Sequence, residues 1–156
     1  MSPTARPATV LRRVPYTIRR TIGWGECDPA GIVYTPRFLD FCVEAAETWF
    51  ADVTGWHWNR LRLERDLGSP VVRVEMDFIA VLAPEDRLDL TVRLGAIGRS
   101  SHTLRIAGHD ATGRHCFQVT LVSVLMDRVT MKATPIPDDL RAPMVAYLEA
   151  CDSEGP

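Results

Sequence analysis

A chain of 156 residues is one domain by length and can bury a sizeable core. Its 46% hydrophobic and 24% charged residues exclude a disordered or membrane-spanning class, and a formal net charge of -2 lacks the basic excess on which nucleic-acid binding draws. Cys27, Cys42, Cys116 and Cys151 form no CxxC pair, which argues against a zinc knuckle or a disulfide framework and for reduced thiols in a cytoplasmic protein.

Residues 1–14 hold Pro, Thr, Ala and Arg without the apolar block of a signal peptide, and the composition predicts a flexible leader. From Tyr16 to Trp24, alternation of Tyr16, Ile18, Arg20, Ile22 and Trp24 with smaller or polar neighbours predicts a strand. Pro29 and Gly31 then break regular structure, so Glu26 to Gly31 is a loop. A helix follows, with Thr35 suited to cap it and Pro36 to its first position. Phe38, Phe41, Cys42, Ala45, Trp49 and Val53 recur at three- and four-residue steps, and Leu39, Ala46 and Phe50 widen that stripe. Only Asp40, Glu44 and Glu47 mark a polar strip, so this is a helix wrapped by other structure.

Trp56 to Leu67 reads as a short helix and a loop. Val72 to Phe78 and Leu88 to Leu94 alternate as strands around an Ala83–Asp86 turn. A strand near His102 to Ile106 leads through the hairpin signal Asp110-Ala111-Thr112-Gly113 into an apolar strand from His115 to Met126. Pro135 and Pro137 end the β region, and Asp138 and Asp139 start a terminal helix reaching about Ala150, with residues 151–156 as a tail. One strand, a buried helix and about four antiparallel strands make an α+β domain over residues 15–150, whose sheet must curl around the helix.

The run Trp24 to Pro36, WGECDPAGIVYTP, places Asp28 in a tight loop just before a helix N-terminus. The first amides of a helix lack internal acceptors and carry partial positive charge. A carbonyl oxygen aimed at the amides of Tyr34 and Thr35 would be stabilised as it gains negative charge, and Asp28 could attack the carbon or activate a water. Asp28 can equally be a turn-capping aspartate before proline.

Those residues resemble the signature of the 4-hydroxybenzoyl-CoA thioesterase family of the Pseudomonas type, approximately GDCDPAGIVWYPNY. The matching positions are Gly25, Cys27, Asp28, Pro29, Ala30, Gly31, Ile32, Val33 and Pro36, with Glu26 replacing an Asp and Tyr34-Thr35 replacing Trp-Tyr. Gly68-Ser69-Pro70-Val71-Val72 resembles the family's GTPIV segment more weakly. The resemblance implies a hot-dog fold, a curved antiparallel sheet wrapped around one long central helix, in homodimers that commonly pair into homotetramers. It implies Asp28 as the catalytic carboxylate and Thr35 as the oxyanion-hole amide. It places Trp58, Ser69 and Pro70 near the acyl group and Arg99 and Ser100 near the CoA phosphates. The substrate would be an aromatic, hydroxybenzoyl-type acyl-CoA, with no metal and no redox cofactor. A broader aliphatic acyl-CoA or acyl-carrier-protein thioesterase, and a non-catalytic acyl-CoA-binding protein, are the competing readings.

Other groups have plainer readings. Glu26 suits a solvated or salt-bridged loop residue better than a second catalytic carboxylate, and Cys27 needs a depressed pKa to serve as a nucleophile. Glu44 and Glu47 fall on the polar strip, although other hot-dog branches use a helix carboxylate. His57, between Trp56 and Trp58, suits packing or an acyl pocket. The four histidines show no HxH or HExxH spacing, so no metal site is expected.

Overall fold

The computed structural model describes residues 7–155. Its elements in chain order are β1 (Thr9–Arg13), β2 (Tyr16–Thr21), α1 (Arg37–Thr54), α2 (Trp58–Arg65), β3 (Leu67–Gly68), β4 (Val71–Phe78), β5 (Arg87–Ile97), β6 (Ser101–Asp110), β7 (His115–Val124), β8 (Met126–Asp127), β9 (Lys132–Ala133) and α3 (Asp138–Ser153). Six strands form one antiparallel sheet in the order β1-β2-β5-β6-β7-β4. β3, β8 and β9 make a small second sheet. This is the expected α+β arrangement.

The apolar stripe of α1 does what its spacing dictates. Phe38, Phe41, Cys42, Ala45, Ala46, Trp49 and Phe50 are all buried. They face the inward positions of the strands, including Ile18, Leu90, Val92, Ile106, Phe117 and Leu121. Each large side chain so buried contributes about 1.5–3 kcal/mol. Register shifts at Val71/Arg73, Leu94/Ala96 and Gly108/His109 mark bulges, which bend strands and sharpen twist. Gly108 is required at its bulge, because a Cβ there would stand 2.2 Å from Phe117 Cε1. The Phe117 ring packs edge-on against Phe38 at 5.0 Å, which seats the first turn of α1.

α3 is fastened by one phenol. The Tyr147 hydroxyl accepts the Tyr16 amide at 2.8 Å and donates to the Val92 carbonyl at 2.5 Å, inserting between β2 and β5. None of the helices is long and apolar enough to cross a membrane among the described residues.

Four expectations change. The leader predicted over 1–14 is a strand from Thr9 to Arg13, paired with β2, while residues 1–6 lie outside the described ones. The first long strand stops at Thr21, and Trp24 opens a 3-10 turn, 81% exposed. Thr35 does not cap α1: the helix starts at Arg37 after Pro36 with no side-chain cap bond. The terminal helix continues to Ser153, so the tail begins three residues later than expected.

Candidate active site

The loop between β2 and α1 is held by a buried arginine. Arg20, on the inward face of β2, donates to Glu26 Oε1 at 2.5 Å. Its guanidinium lies 3.9 Å from the centre of the Phe41 ring and 3.6 Å from Glu44 Oε2 on α1. Glu26 Oε2 accepts the Gly23 amide at 2.8 Å, closing the 3-10 turn. Glu26 is therefore a loop-fastening residue, as its simpler reading had it. The Arg20 partnership was missed, yet its signal was present: an arginine in register with Ile18 and Ile22 must point into the core.

Asp28 sits where this loop doubles back. Cys27 and Val33 form an antiparallel bridge, and the Asp28 amide donates to the Ile32 carbonyl at 2.9 Å. The Gly31 amide returns to the Asp28 carbonyl at 2.9 Å, and Gly31 takes φ 79°, a left-handed conformation that favours glycine. Asp28 Oδ1 accepts the Ala30 amide at 2.8 Å, an Asx turn that orients the carboxylate. Its Oδ2 has no hydrogen-bond partner among the described residues. The half-buried acid keeps one oxygen committed to the loop and one open.

The entrance to α1 separates the two amides expected as donors. The Tyr34 amide is taken, since it donates to the Glu26 carbonyl at 2.9 Å. Tyr34 is thereby corrected from oxyanion donor to a main-chain tie between loop and turn. The Thr35 amide has no acceptor among the described residues, whereas the Thr35 carbonyl accepts Phe38 N at 3.3 Å. One free donor remains, next to the positive end of an 18-residue helix.

Beside it lies a cavity of about 270 Å³ walled by Thr35, Phe38, Phe78, Ile79, Val81 and Leu82, among others. The Val33 amide, donating to the Leu82 carbonyl at 2.8 Å, fixes this wall to the loop. Asp28 does not itself line the cavity. Its main-chain amide bonds the carbonyl of Ile32, which does. The segment Phe78 to Leu82 was not recognised from sequence as part of a site.

The neighbouring candidates have other surroundings. Burial, then Glu26, Asp28 and Asp86, push the Cys27 thiol above its usual range, which disfavours the thiolate a nucleophile needs. Glu44 answers Arg20, and Glu47 is exposed. His57 is exposed at the start of α2, outside the core of the protomer. No group of metal-ligating side chains occurs among the described residues.

The residues expected to bind substrate gather elsewhere. Arg99 and Ser100 form the β5–β6 turn, and the Ser100 carbonyl accepts Leu125 N at 2.7 Å. Ser69 and Pro70 lead into β4, and the Pro70 carbonyl accepts Val124 N at 3.1 Å. Both pairs thus flank the exit of β7. Trp58 opens α2, just beyond the C-terminus of α1, and packs on Phe50 at 6.3 Å between ring centres. Asp28 and Thr35 belong to the opposite end, where Ile22 N meets Asp86 O at 2.8 Å. The 11 residues of β5 span about 35 Å between these ends, and α1 spans about 27 Å. Within one protomer the two halves of the expected site do not meet.

Comparison with known proteins adds an independent line. The family described as the thioesterase-like superfamily matches residues 22–144. A 4-hydroxybenzoyl-CoA thioesterase of Pseudomonas sp. is 25% identical over 142 residues, 86% of this chain and 96% of that one. A 1,4-dihydroxy-2-naphthoyl-CoA hydrolase of Picosynechococcus sp. is 36% identical over 75 residues, 48% of this chain and 51% of the relative, so this match spans about half of each. A solved thioesterase-superfamily structure from Jannaschia sp. is 31% identical, with coverage of 94% and 96% and a TM-score of 0.77.

Proposed function

We propose, from the premise that the chain belongs to the thioesterase-like superfamily and has its hot-dog fold, that this thioester hydrolase cleaves an aromatic, hydroxylated acyl-CoA to the free acid and CoA. The observation that carries the reading is that the loop entering α1 holds both a carboxylate with an open oxygen, Asp28 Oδ2, and an unpartnered amide, that of Thr35, which lines an apolar cavity. The names of the relatives point to hydroxybenzoyl and dihydroxynaphthoyl groups. Aromatic walls from Phe38 and Phe78, whose rings meet edge-on at 5.1 Å, suit a planar acyl group. At about 270 Å³ the cavity is below the size of pockets that enclose whole cofactors, so the nucleotide end of CoA lies outside it.

The acyl carbonyl oxygen accepts the Thr35 amide, and charge accumulating there in the transition state is stabilised by this fixed donor. Asp28 either attacks the carbonyl carbon, expelling the CoA thiolate and leaving an anhydride that water hydrolyses, or takes a proton from an attacking water. Both routes consume one water and release CoA thiol and free acid. Neither calls for a metal or redox group.

A second copy completes the site. β4 is an edge strand exposed along nearly its whole length, with Val72 60%, Val74 42% and Phe78 52% exposed. An apolar strand edge of this kind invites pairing with another chain. Antiparallel pairing of two β4 strands about a two-fold axis sets the partner's Ser69–Pro70 end beside Phe78 and the Thr35 cavity. Trp58 and Arg99 of the partner subunit then approach the same substrate.

The test is thiol release from a panel of benzoyl, hydroxybenzoyl, dihydroxynaphthoyl, short-chain and medium-chain CoA thioesters. Aryl substrates are expected to lead in kcat/KM. Aliphatic chains cleaved at least as fast would reassign the substrate, and tight binding without turnover of any thioester would make the chain an acyl-CoA-binding protein.

A further inference from the structure

The outer face of the six-stranded sheet, turned away from α1, carries a depression of about 410 Å³ that the thioester chemistry does not use. Many arginines elsewhere are neutralised, among them Arg13 by Asp52, Arg19 by Asp89, Arg20 by Glu26, Arg65 by Asp139 and Arg114 by Asp110, while Arg87 and Arg141 are held by main-chain carbonyls. Arg12, Arg93 and Arg105 have no acid within ion-pair distance among the described residues, and all three open onto this one depression. Arg93 on β5 and Arg105 on β6 are direct cross-strand partners. Like charges so opposed destabilise a sheet unless something answers them. Arg12 reaches over β2 toward the same place: its Nη2 lies 3.5 Å from Thr17 Oγ1, which lies 3.2 Å from Thr91 Oγ1 on β5.

The acids of the depression do not answer these charges. Glu75 on β4 is paired with Arg73, and Asp77 accepts the Gln118 side-chain amide at 3.0 Å. Three guanidinium forks without acid partners therefore surround a volume large enough for a small molecule, and such forks match phosphate oxygens in pairs. We propose that this groove is an anion-binding site for a phosphorylated small molecule of the pyrophosphate or nucleotide class, separate from the thioester site. The ligand neutralises the Arg93–Arg105 opposition and stabilises the sheet.

Calorimetric titration and thermal unfolding with inorganic pyrophosphate at low ionic strength test this, with adenosine diphosphate as second probe and sodium chloride as ionic-strength control. Saturable binding is expected, with a Tm rise of about 5 °C at a hundredfold excess over Kd. Arg93→Gln and Arg105→Gln should each weaken Kd by about tenfold or more, losing a charge-assisted contact. Each should also unfold no lower than the parent chain when pyrophosphate is absent, since the opposition is relieved. Arg99→Ala, at the other proposed phosphate contact, should leave pyrophosphate binding unchanged. Absence of saturable binding, or equal binding by the Arg105→Gln chain, overturns the proposal. So does a parent that ignores pyrophosphate while Arg105→Gln lowers its assembly mass, which would assign the face to subunit packing.

Discussion

Asp28→Asn isolates the proposed chemistry because the change is nearly isosteric and the two carboxylate oxygens do different things. Oδ1 accepts the Ala30 amide at 2.8 Å, and the amide oxygen of asparagine can keep that bond. The cost to the Asx turn is the difference between a charge-assisted and a neutral hydrogen bond, about 1 kcal/mol. The open oxygen becomes an NH₂ group that neither attacks a carbonyl nor accepts a proton. Loss of that function is worth about 10²–10⁴ in rate, or roughly 3–5.5 kcal/mol at 1.4 kcal/mol per decade. The expected result is kcat lower by about three orders of magnitude, with acyl-CoA affinity kept and Tm lower by only a few degrees. Single-turnover thiol release at saturating aryl-CoA, paired with calorimetric binding of the same ester, separates these quantities. Turnover within tenfold of the parent would refute the role of Asp28. A collapse of Tm would move the effect from chemistry to loop stability.

Thr35→Ala keeps the free amide and should hold kcat within a few-fold, whereas Thr35→Pro removes the donor and should lower kcat by about 10²–10³ in the same assay. Arg99→Ala should raise KM with little change in kcat; mixed with the Asp28→Asn chain under subunit exchange, it should restore sites with wild-type kcat and KM, and no restoration would argue against a site shared between protomers. His102 is buried against Trp49 and Phe50, and burial pushes its pKa down to about 4. Above about pH 6.5 it is neutral in folded and unfolded chains alike; as pH falls from 6.5 to 4 only the unfolded chain takes up the proton, and stability should drop by up to about 3 kcal/mol. Urea midpoints across that range should fall for the parent and less steeply for His102→Phe. Gly108→Ala would press a methyl 2.2 Å from Phe117 Cε1 and should cost about 2 kcal/mol by urea unfolding; an unchanged midpoint would mean the ring yields freely.

The proposed division of the site across two copies would shape how specificity arises. Asp28 and the Thr35 amide belong to one loop, which the Arg20–Glu26 pair fastens against α1 within a single protomer. The residues expected to contact the acyl group and the CoA phosphates occupy the far end, so the proposed β4 pairing would set which substrate is held and how well. Changes at Trp58 or Ser69 should therefore retune specificity without touching the attacking group.

What the sequence by itself determined is what short-range periodicity and backbone chemistry encode. The stripe from Phe38 to Val53 required a buried helix, Pro29 and Gly31 required a loop, and the order of elements required a sheet curled around that helix. Asp28 beside a helix start was legible because loop and helix are contiguous in the chain. Arg20 was legible in principle from its register with Ile18 and Ile22. Tertiary structure alone decided the rest. β1 is exposed along most of its length, so no hydrophobic pattern announced it, and main-chain pairing with β2 makes it a strand. Which helix-entry amide stays free was decided by the Glu26 carbonyl claiming Tyr34. The sheet order puts β4 beside β7 at an edge, not beside its chain neighbour β5. That placement brings Phe78 to Leu82 against Thr35 and leaves an open strand edge for a partner. Local patterns record which face of a segment avoids water; which distant segment covers that face depends on strand pairing through space.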